Sequence, residues 1–445
     1  MIKMKRKTET ILCLVGAVML CLSTGCGRNS DGTAGPGAVN DGRSNSEPRT
    51  SLSFWHIMNY EGPREVLAEA VARFEAAHPD VTIEMETFAN DAYKTKLAVE
   101  MASGTPPDIF FTWGGGTLAA YAEAEKVRDL TSTLEQRGWK SRFLPQALDM
   151  CRVGRGIYAV PVDLSAVLLW YNETLFTQRG INPPATYQGL IETCRNLRKS
   201  GLTPIALGNM KQWPGAFHFI YLATRQGGSQ LFFDAAAAKP GADFADPAFI
   251  EAGRKLRELV SIDAFSTGAN GIDAQHARTQ FLTGRAAMYL MGTWLVARVK
   301  NENPEFLNRM RCVPYPQIEN GAGSTNTVVG GVNCAFAISA ACRHPELAIE
   351  LIGFLTDDTV AARWATIGRI PALQVESAVL ERLPAPTRTA FDILSTADRL
   401  QPYYDQYLEP QLAEEHKKTT QELFAGTLGP EEAAERMKKC ADNLQ

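Results

Sequence analysis

The chain has 445 residues, of which 45% are hydrophobic and 21% charged. That is the balance of a water-soluble globular protein with room for two or three domains. The formal net charge of −4 disfavours nucleic acid as a partner, because duplex binding needs a basic face. The basic cluster that stands out is Lys3, Lys5, Arg6 and Lys7. It opens a targeting segment, and Ile11 to Leu22 follows as an apolar run too short to span a bilayer comfortably.

That run ends in Leu22-Ser23-Thr24-Gly25-Cys26. Small residues before a cysteine at this point resemble a bacterial lipobox, with the leucine one place further from the cysteine than usual. A lipoprotein signal peptide is expected over 1–25, with a diacylglyceryl group on Cys26 Sγ. Two acyl chains, at about 0.8 kcal/mol per buried CH₂, anchor stably. Residues 27–50 are rich in Gly, Ser, Asn, Asp and Pro and lack an apolar period, so 26–50 reads as lipidated cysteine plus flexible linker. No later segment reaches roughly eighteen apolar residues, so the rest is expected to be extracytoplasmic and soluble. Cys151, Cys194, Cys312, Cys334, Cys342 and Cys440 remain. They are scattered, without metal or redox spacing; export permits disulfides, but no pairing follows from the sequence.

The globular part opens with a strand, Leu52 to Ile57. Gly62-Pro63 then starts a helix whose Val66, Leu67, Ala70, Val71 and Phe74 recur at helical spacing. Val81 to Phe88 reads as a strand and Asp91 to Ser103 as a helix capped by Gly104. Ile109 to Thr112 is a third strand, and a third helix begins near Leu118. This alternation specifies α/β layers around a mostly parallel sheet.

Gly156 to Asn172 is the segment on which the rest turns. Pro161 lacks an N–H, so the residues before it form an edge or crossing strand. Val167 to Tyr171 is β-branched and aromatic, as a buried strand is. A strand that breaks at proline and continues into a second sheet suits the hinge of a two-lobed protein. Beyond it, helices are expected at Tyr187–Ser200, Phe217–Thr224, Ile250–Val260, Ala274–Leu282 and Pro345–Leu355. Strands are expected at Ile205–Leu207, Ala286–Met291, Cys312–Tyr315 and Cys334–Ile338. Gly368 to Pro371 reads as a loop, and all that follows as helical.

Several short stretches occur together. They are Gly104-Thr105-Pro106-Pro107-Asp108-Ile109, Tyr158-Ala159-Val160-Pro161, Trp170-Tyr171-Asn172 with Leu175-Phe176, and Pro183-Pro184-Ala185-Thr186-Tyr187. Phe281 to Met288, Gly292-Thr293-Trp294, Gly330-Gly331 and Gly368-Arg369-Ile370-Pro371 complete the set. In this order, over about residues 51–430, they resemble the extracellular solute-binding proteins of ABC importers, in the sugar-binding group that includes maltose-binding protein. The group usually has Trp where Tyr187 stands. The resemblance implies a type II periplasmic-binding-protein-like fold, with two α/β lobes, a hinge and a ligand cleft between them. We place the crossings near 161–167, 327–333 and 369–373. The N-terminal lobe is then 51–162 plus 333–368, and the C-terminal lobe 163–332 plus 369–445.

Candidate ligand contacts come from residue chemistry. Trp55, Trp113, Trp213 and Trp294 sit near apparent strand ends beside Gly or Pro, where open α/β sheets bind ligands. A Trp face suits the C–H face of a sugar ring, and Asp, Asn, His or Arg its hydroxyl rim; core anchoring is the plainer role for any one of them. Asp163, after the hinge proline, could accept from sugar hydroxyls or cap a turn. His56 and Asp91 follow strands, and Asp91 also suits a helix N-terminus. Arg369 suits a ligand contact or a salt bridge. The resemblance implies ligand contacts at Trp213, Trp294 and Gly331.

Gly114-Gly115-Gly116-Thr117-Leu118-Ala119 fits the dinucleotide fingerprint G-x-G-x-x-A. It follows the third strand instead of opening the domain, so a glycine loop giving a ligand backbone access, with Gly114 as a contact, explains it better. Glu84 and Glu86 alternate on a strand face, as solvated residues do, although paired carboxylates can serve a glycosidase. There is no G-x-S-x-G, Walker A or H-x-x-H pattern, so neither a metal site nor a cofactor is suggested. The expectation is a monomeric, lipid-anchored binding protein on the outer face of the cell membrane. It would take a mono- or oligosaccharide to an ABC permease without catalysis. The alternatives are a non-sugar ligand (polyamine, phosphate ester or metal chelate), a co-receptor for a sensor kinase, and an extracellular glycosidase.

Overall fold

The computed structural model describes residues 49–444. The targeting segment and Cys26 lie outside them, and Thr50, last residue of the expected linker, already belongs to the first strand. β1 (Thr50–His56), α1 (Pro63–Ala77), β2 (Val81–Thr87), α2 (Asn90–Ser103), β3 (Ile109–Thr112) and α3 (Gly115–Glu123) alternate as the hydrophobic periods require. β1 pairs in parallel with β2 and β3, Leu52 opposite Ile83 and Phe54 opposite Ile109. α1 carries Pro63 in its first turn and buries Val66, Leu67, Ala70, Val71 and Phe74, the stripe its spacing specifies.

β4 (Val160–Asn172), β5 (Thr203–Ala206), α4 (Trp213–Gly227), α5 (Ala274–Leu282), β6 (Ala286–Gly292), α6 (Trp294–Glu302), β7 (Met310–Val313) and β8 (Thr327–Ile338) follow. Then come α7 (Pro345–Leu355), β9 (Ile370–Pro371), β10 (Arg399–Gln401), α8 (Pro410–Ala425) and α9 (Pro430–Asp442). The strands line up as β2-β1-β3-β8-β4-β6-β5, with β7 and β9 also on β4 and β10 on β8. The expected all-helical C-terminal part is therefore interrupted. β10 lies parallel to β8, Thr327 opposite Arg399, and three residues are too few to show a period of two.

Two hydrophobic cores form. The first gathers residues from Leu52 to Leu164 and from Val332 to Leu373; the second, from Ala166 to Val329 and from Ala390 to Met437. β4 and β8 are the long antiparallel strands that pass from one core to the other. Val160, Val162 and Leu164 pack in the first core, and Ala166 to Trp170 in the second. Pro161 does not break β4, contrary to expectation; one 13-residue strand runs through it. The disturbance appears in the partner, where the β4–β8 register shifts on both sides of Cys334, next to the Ala335–Pro161 pair. Beyond the proline, the Val162 carbonyl accepts from the Ala372 N–H at 2.9 Å. Ile370, Ala372 and Leu373, within the third expected crossing, still pack in the first core.

The six cysteines from Cys151 onward are unpaired. Among the described residues no helix is long and apolar enough to cross a membrane.

Candidate ligand-binding site

A cavity of about 220 Å³ lies between the two cores. The second core contributes an aromatic wall. Trp213 opens α4, Trp294 opens α6, and their ring centroids are 6.3 Å apart. Phe217, one turn along α4, is 5.5 Å from Trp213 and 5.5 Å from Tyr403, and Tyr403 is 6.4 Å from Trp294. Trp113, after β3, stands on the side of the first core, with the Lys94 ammonium 4.8 Å from its ring centroid. Strand ends thus deliver Trp113 and Trp294 to the crevice, as an open α/β sheet does. Gly292 makes the Trp294 position attainable. A Cβ there would sit 2.0 Å from the indole ring, so only glycine lets the ring fold back over the end of β6.

The glycine loop has a related task. Cβ atoms at Gly115 and Gly116 would lie 2.2 and 2.0 Å from the carbonyl oxygens of Gln406 and Leu408. The loop seats the segment 406–408, which brings Tyr403, Asp405 and Gln406 to the cavity. Packing of the chain's own backbone therefore accounts for the G-x-G-x-x-A pattern.

The polar lining comes from both cores. Asn59, Tyr60, Asn90 and Lys94 stand on the first side; Arg278, Arg298, Asp405 and Gln406 face them. Lys94 Nζ is 3.9 Å from the Asp405 carboxylate. Burial lowers the Lys94 pKa below its ordinary value, and Asp405 opposes that shift. Arg278 is held by Glu302 through two hydrogen bonds of 2.7 Å. Arg298 reaches across the seam: its guanidinium lies 3.5 Å over the Tyr60 ring, and Nη2 donates to Asn59 Oδ1 at 3.1 Å. Arg369 forms the floor, its Nε 2.8 Å from Asp163, with both side chains almost fully buried. Asn333 Nδ2 donates to the two Asp163 oxygens at 3.3 and 3.1 Å. Burial outweighs these partners and raises the Asp163 carboxyl to about 6.

Of the residues singled out in the sequence, Trp113, Trp213, Trp294 and Arg369 line this cavity. Gly331 lines a neighbouring cavity of about 620 Å³, beside Met150, which shares Trp113, Tyr403 and Gln406 with the first. The others lie elsewhere. Trp55 is buried against Phe88, with Lys96 4.1 Å over its ring. His56 is buried and accepts from the Met58 N–H; desolvation lowers its pKa to about 4, leaving it neutral. Asp91 lies in the first turn of α2, one residue past Asn90, which does face the cavity. Gly114 is occupied by the Met150 carbonyl, 2.2 Å from where a Cβ would stand. Asp163 faces Arg369 and Asn333, not the cavity. Sequence reasoning missed Tyr60, Lys94, Arg278, Arg298, Tyr403 and Asp405. For Arg298 a signal existed: it is one helical turn after Trp294, so both share a face of α6. Among the described residues no group of three or more His, Cys, Asp or Glu could hold a metal ion.

A model of the bacterial extracellular solute-binding protein family matches residues 61–362. The chain belongs to that family. Among the relatives of this solute-binding protein is the multiple sugar-binding protein of Streptococcus mutans, 21% identical over 72% of this chain and 74% of its own. Another is the melibiose/raffinose/stachyose-binding protein MelE of Bacillus subtilis, 22% identical over 90% and 92%. A solved structure from work on xylan utilisation by the thermophilic bacterium Caldanaerobius polysaccharolyticus is 31% identical, with a TM-score of 0.83. It covers 87% of this chain and 99% of that one. A chitin oligosaccharide binding protein, 23% identical with a TM-score of 0.81, covers 89% and 98%. The fold is accordingly the two-lobed α/β architecture of the type II periplasmic-binding-protein-like class, with the cavity in its interlobe cleft.

Proposed function

We propose that this chain is the substrate-binding lipoprotein of an ABC importer, and that it captures a mono- or oligosaccharide between its lobes. One observation carries the reading: the wall of Trp213, Phe217, Trp294 and Tyr403 faces Trp113 across a cavity rimmed by amides, a tyrosine hydroxyl and charged side chains. Aromatic faces suit the C–H faces of pyranose rings, and the rim suits their hydroxyls. The names of the relatives, which bind sugars, support the same choice. Trp113, Trp213, Trp294 and Arg369 are the proposed contacts from the original set, joined by Tyr60, Arg298 and Tyr403. Asp163 acts at one remove, by holding Arg369, and Gly331 serves the adjoining cavity.

Residues 51–162 with 333–368, and 163–332 with 369–445, are the proposed lobes, with the hinge residues Leu164, Val332, Ile370, Ala372 and Leu373 packing in the first core. Ligand touching both favours the closed form. Moving the lobes from 1:99 to 99:1 needs about 5.5 kcal/mol of preference for that form. Lipid on Cys26 holds the monomeric protein at the outer face of the cell membrane, and the closed form is handed to the permease. Binding without glycoside hydrolysis is the proposed activity. Asp405 is the one carboxylate among the described residues that line the first cavity, and hydrolysis uses two.

The test is thermal unfolding against sugars, oligosaccharides, polyamines and amino acids. A ligand that binds only the folded state adds about 2.7 kcal/mol at a hundred times Kd. A shift with one class of saccharide supports the proposal. A shift with a polyamine or amino acid alone removes the sugar assignment and keeps the fold.

A further inference from the structure

The cavity has an unbalanced charge. Lys94, Arg278, Arg298 and Arg369 line it, against Asp405. Three of the cations have carboxylates: Asp405 at Lys94, Glu302 at Arg278 and Asp163 at Arg369. Arg298 has no carboxylate within ion-pair distance among the described residues. Its partners are neutral, the Asn59 amide oxygen and the Tyr60 ring, and one of its five N–H groups is used there. The Tyr60 hydroxyl is also buried without a hydrogen-bond partner among the described residues. A buried hydroxyl without a partner and a partly exposed guanidinium with unused N–H groups therefore stand together at the seam, one from each lobe.

A neutral sugar closing this cleft would leave a partly desolvated guanidinium with no ion-pair partner, Glu302 acting on it only from a greater distance, which is costly. A carboxylate would accept from the planar guanidinium in two places and from the hydroxyl in a third. We infer that the saccharide carries a carboxylate, as a uronic acid residue does, and that Arg298 and Tyr60 bind it across the interlobe seam. This rests on the saccharide reading above and narrows its substrate class. Because the two donors belong to different lobes, the same carboxylate would also favour closure. Burial lowers the Arg298 pKa, with Arg278 and Arg369 adding to the shift and Tyr60 and Glu302 opposing it; a bound anion would oppose it further.

The experiment is calorimetric titration of the purified chain. The ligands are D-glucuronate, D-galacturonate and digalacturonate, beside D-glucose, D-galactose and a neutral disaccharide, with glucose 6-phosphate as a separate anion. The expected result is uronate binding about ten- to a hundredfold tighter than its neutral parent, as a charge-assisted contact gives, and weakening with added salt. Arg298→Gln should bring that ratio close to one, and Arg298→Lys should keep part of it. Unliganded melting of both variants verifies folding. Neutral sugars binding as tightly as uronates, or a uronate preference that survives Arg298→Gln, overturns the inference and leaves the saccharide reading standing. Preference for the sugar phosphate over every uronate overturns the carboxylate but not the anion. Binding of no saccharide at all removes both readings.

Discussion

The Asp163–Arg369 pair under the cavity allows a prediction worked from its geometry. Both side chains are nearly inaccessible and 2.8 Å apart. The two partners differ in one respect: the carboxyl can take up a proton and the guanidinium cannot release one. Burial already raises the folded Asp163 pKa to about 6 from 3.8, so the folded state keeps the proton longer than the unfolded chain does. The stability from this group is fully present below about pH 3.8. It is lost as pH rises through about 6, in all about 3 kcal/mol. Arg369→Met removes the cation that holds the carboxyl down, so the folded pKa climbs further. The variant should then keep losing stability above pH 6, by up to about 1.4 kcal/mol per unit relative to wild type. Asp163→Ala instead strands a guanidinium that cannot neutralise itself, at a cost of about 3–5 kcal/mol near pH 7. The assay is urea unfolding of wild type and both variants between pH 5 and 8. A wild-type to Arg369→Met difference that stays constant over that range would refute the argument, because Asp163 would not then be the buried titrating group.

Other outcomes follow from single contacts. Gly292→Ala should force the Trp294 ring out of the wall and weaken saccharide binding about tenfold or more, with a smaller change in unfolding midpoint; titration beside melting separates the two. Gly116→Ala places a methyl on the Leu408 carbonyl oxygen and should cost about 1–3 kcal/mol, measured by denaturant unfolding. His218 is buried with both ring nitrogens unpartnered among the described residues, and its pKa is lowered to about 3. Its folded value lies below the unfolded 6.5, so the stability it contributes is present above pH 6.5 and lost as pH falls toward 3. His218→Leu should therefore gain more over wild type at pH 5 than at pH 8 in the same unfolding assay.

What the sequence made legible was the part governed by local periods. The stripe of α1, the alternation from β1 to α3 and the strand-end positions of Trp113 and Trp294 follow from spacing and from Gly and Pro. The Pro161 segment was recognisable as a crossing, but not as continuous. Its missing N–H coincides with a register shift in β8, far along the chain. Asp163 looked like a ligand acceptor because its partner Arg369 lies more than two hundred residues away. Arg278 and Arg298 sit on helices where a charge reads as solvent-facing. Tyr403 and Asp405 reach the cavity only because 406–408 rests on two glycines, Gly115 and Gly116, whose role is tertiary. Trp55 and His56 resembled cleft residues at the end of β1, yet they are buried and the cavity lining begins only at Ile57.

The measurement closest to the central claim is calorimetric titration of the saccharide panel into wild type, Trp213→Ala and Trp294→Ala. The account predicts that one saccharide class binds wild type, and that each Trp variant loses about three- to tenfold or more in affinity, in line with about 0.5–1.5 kcal/mol for an aromatic contact. Saccharide binding unchanged in both variants would place the ligand elsewhere, and no binding by any saccharide would contradict the account at its centre.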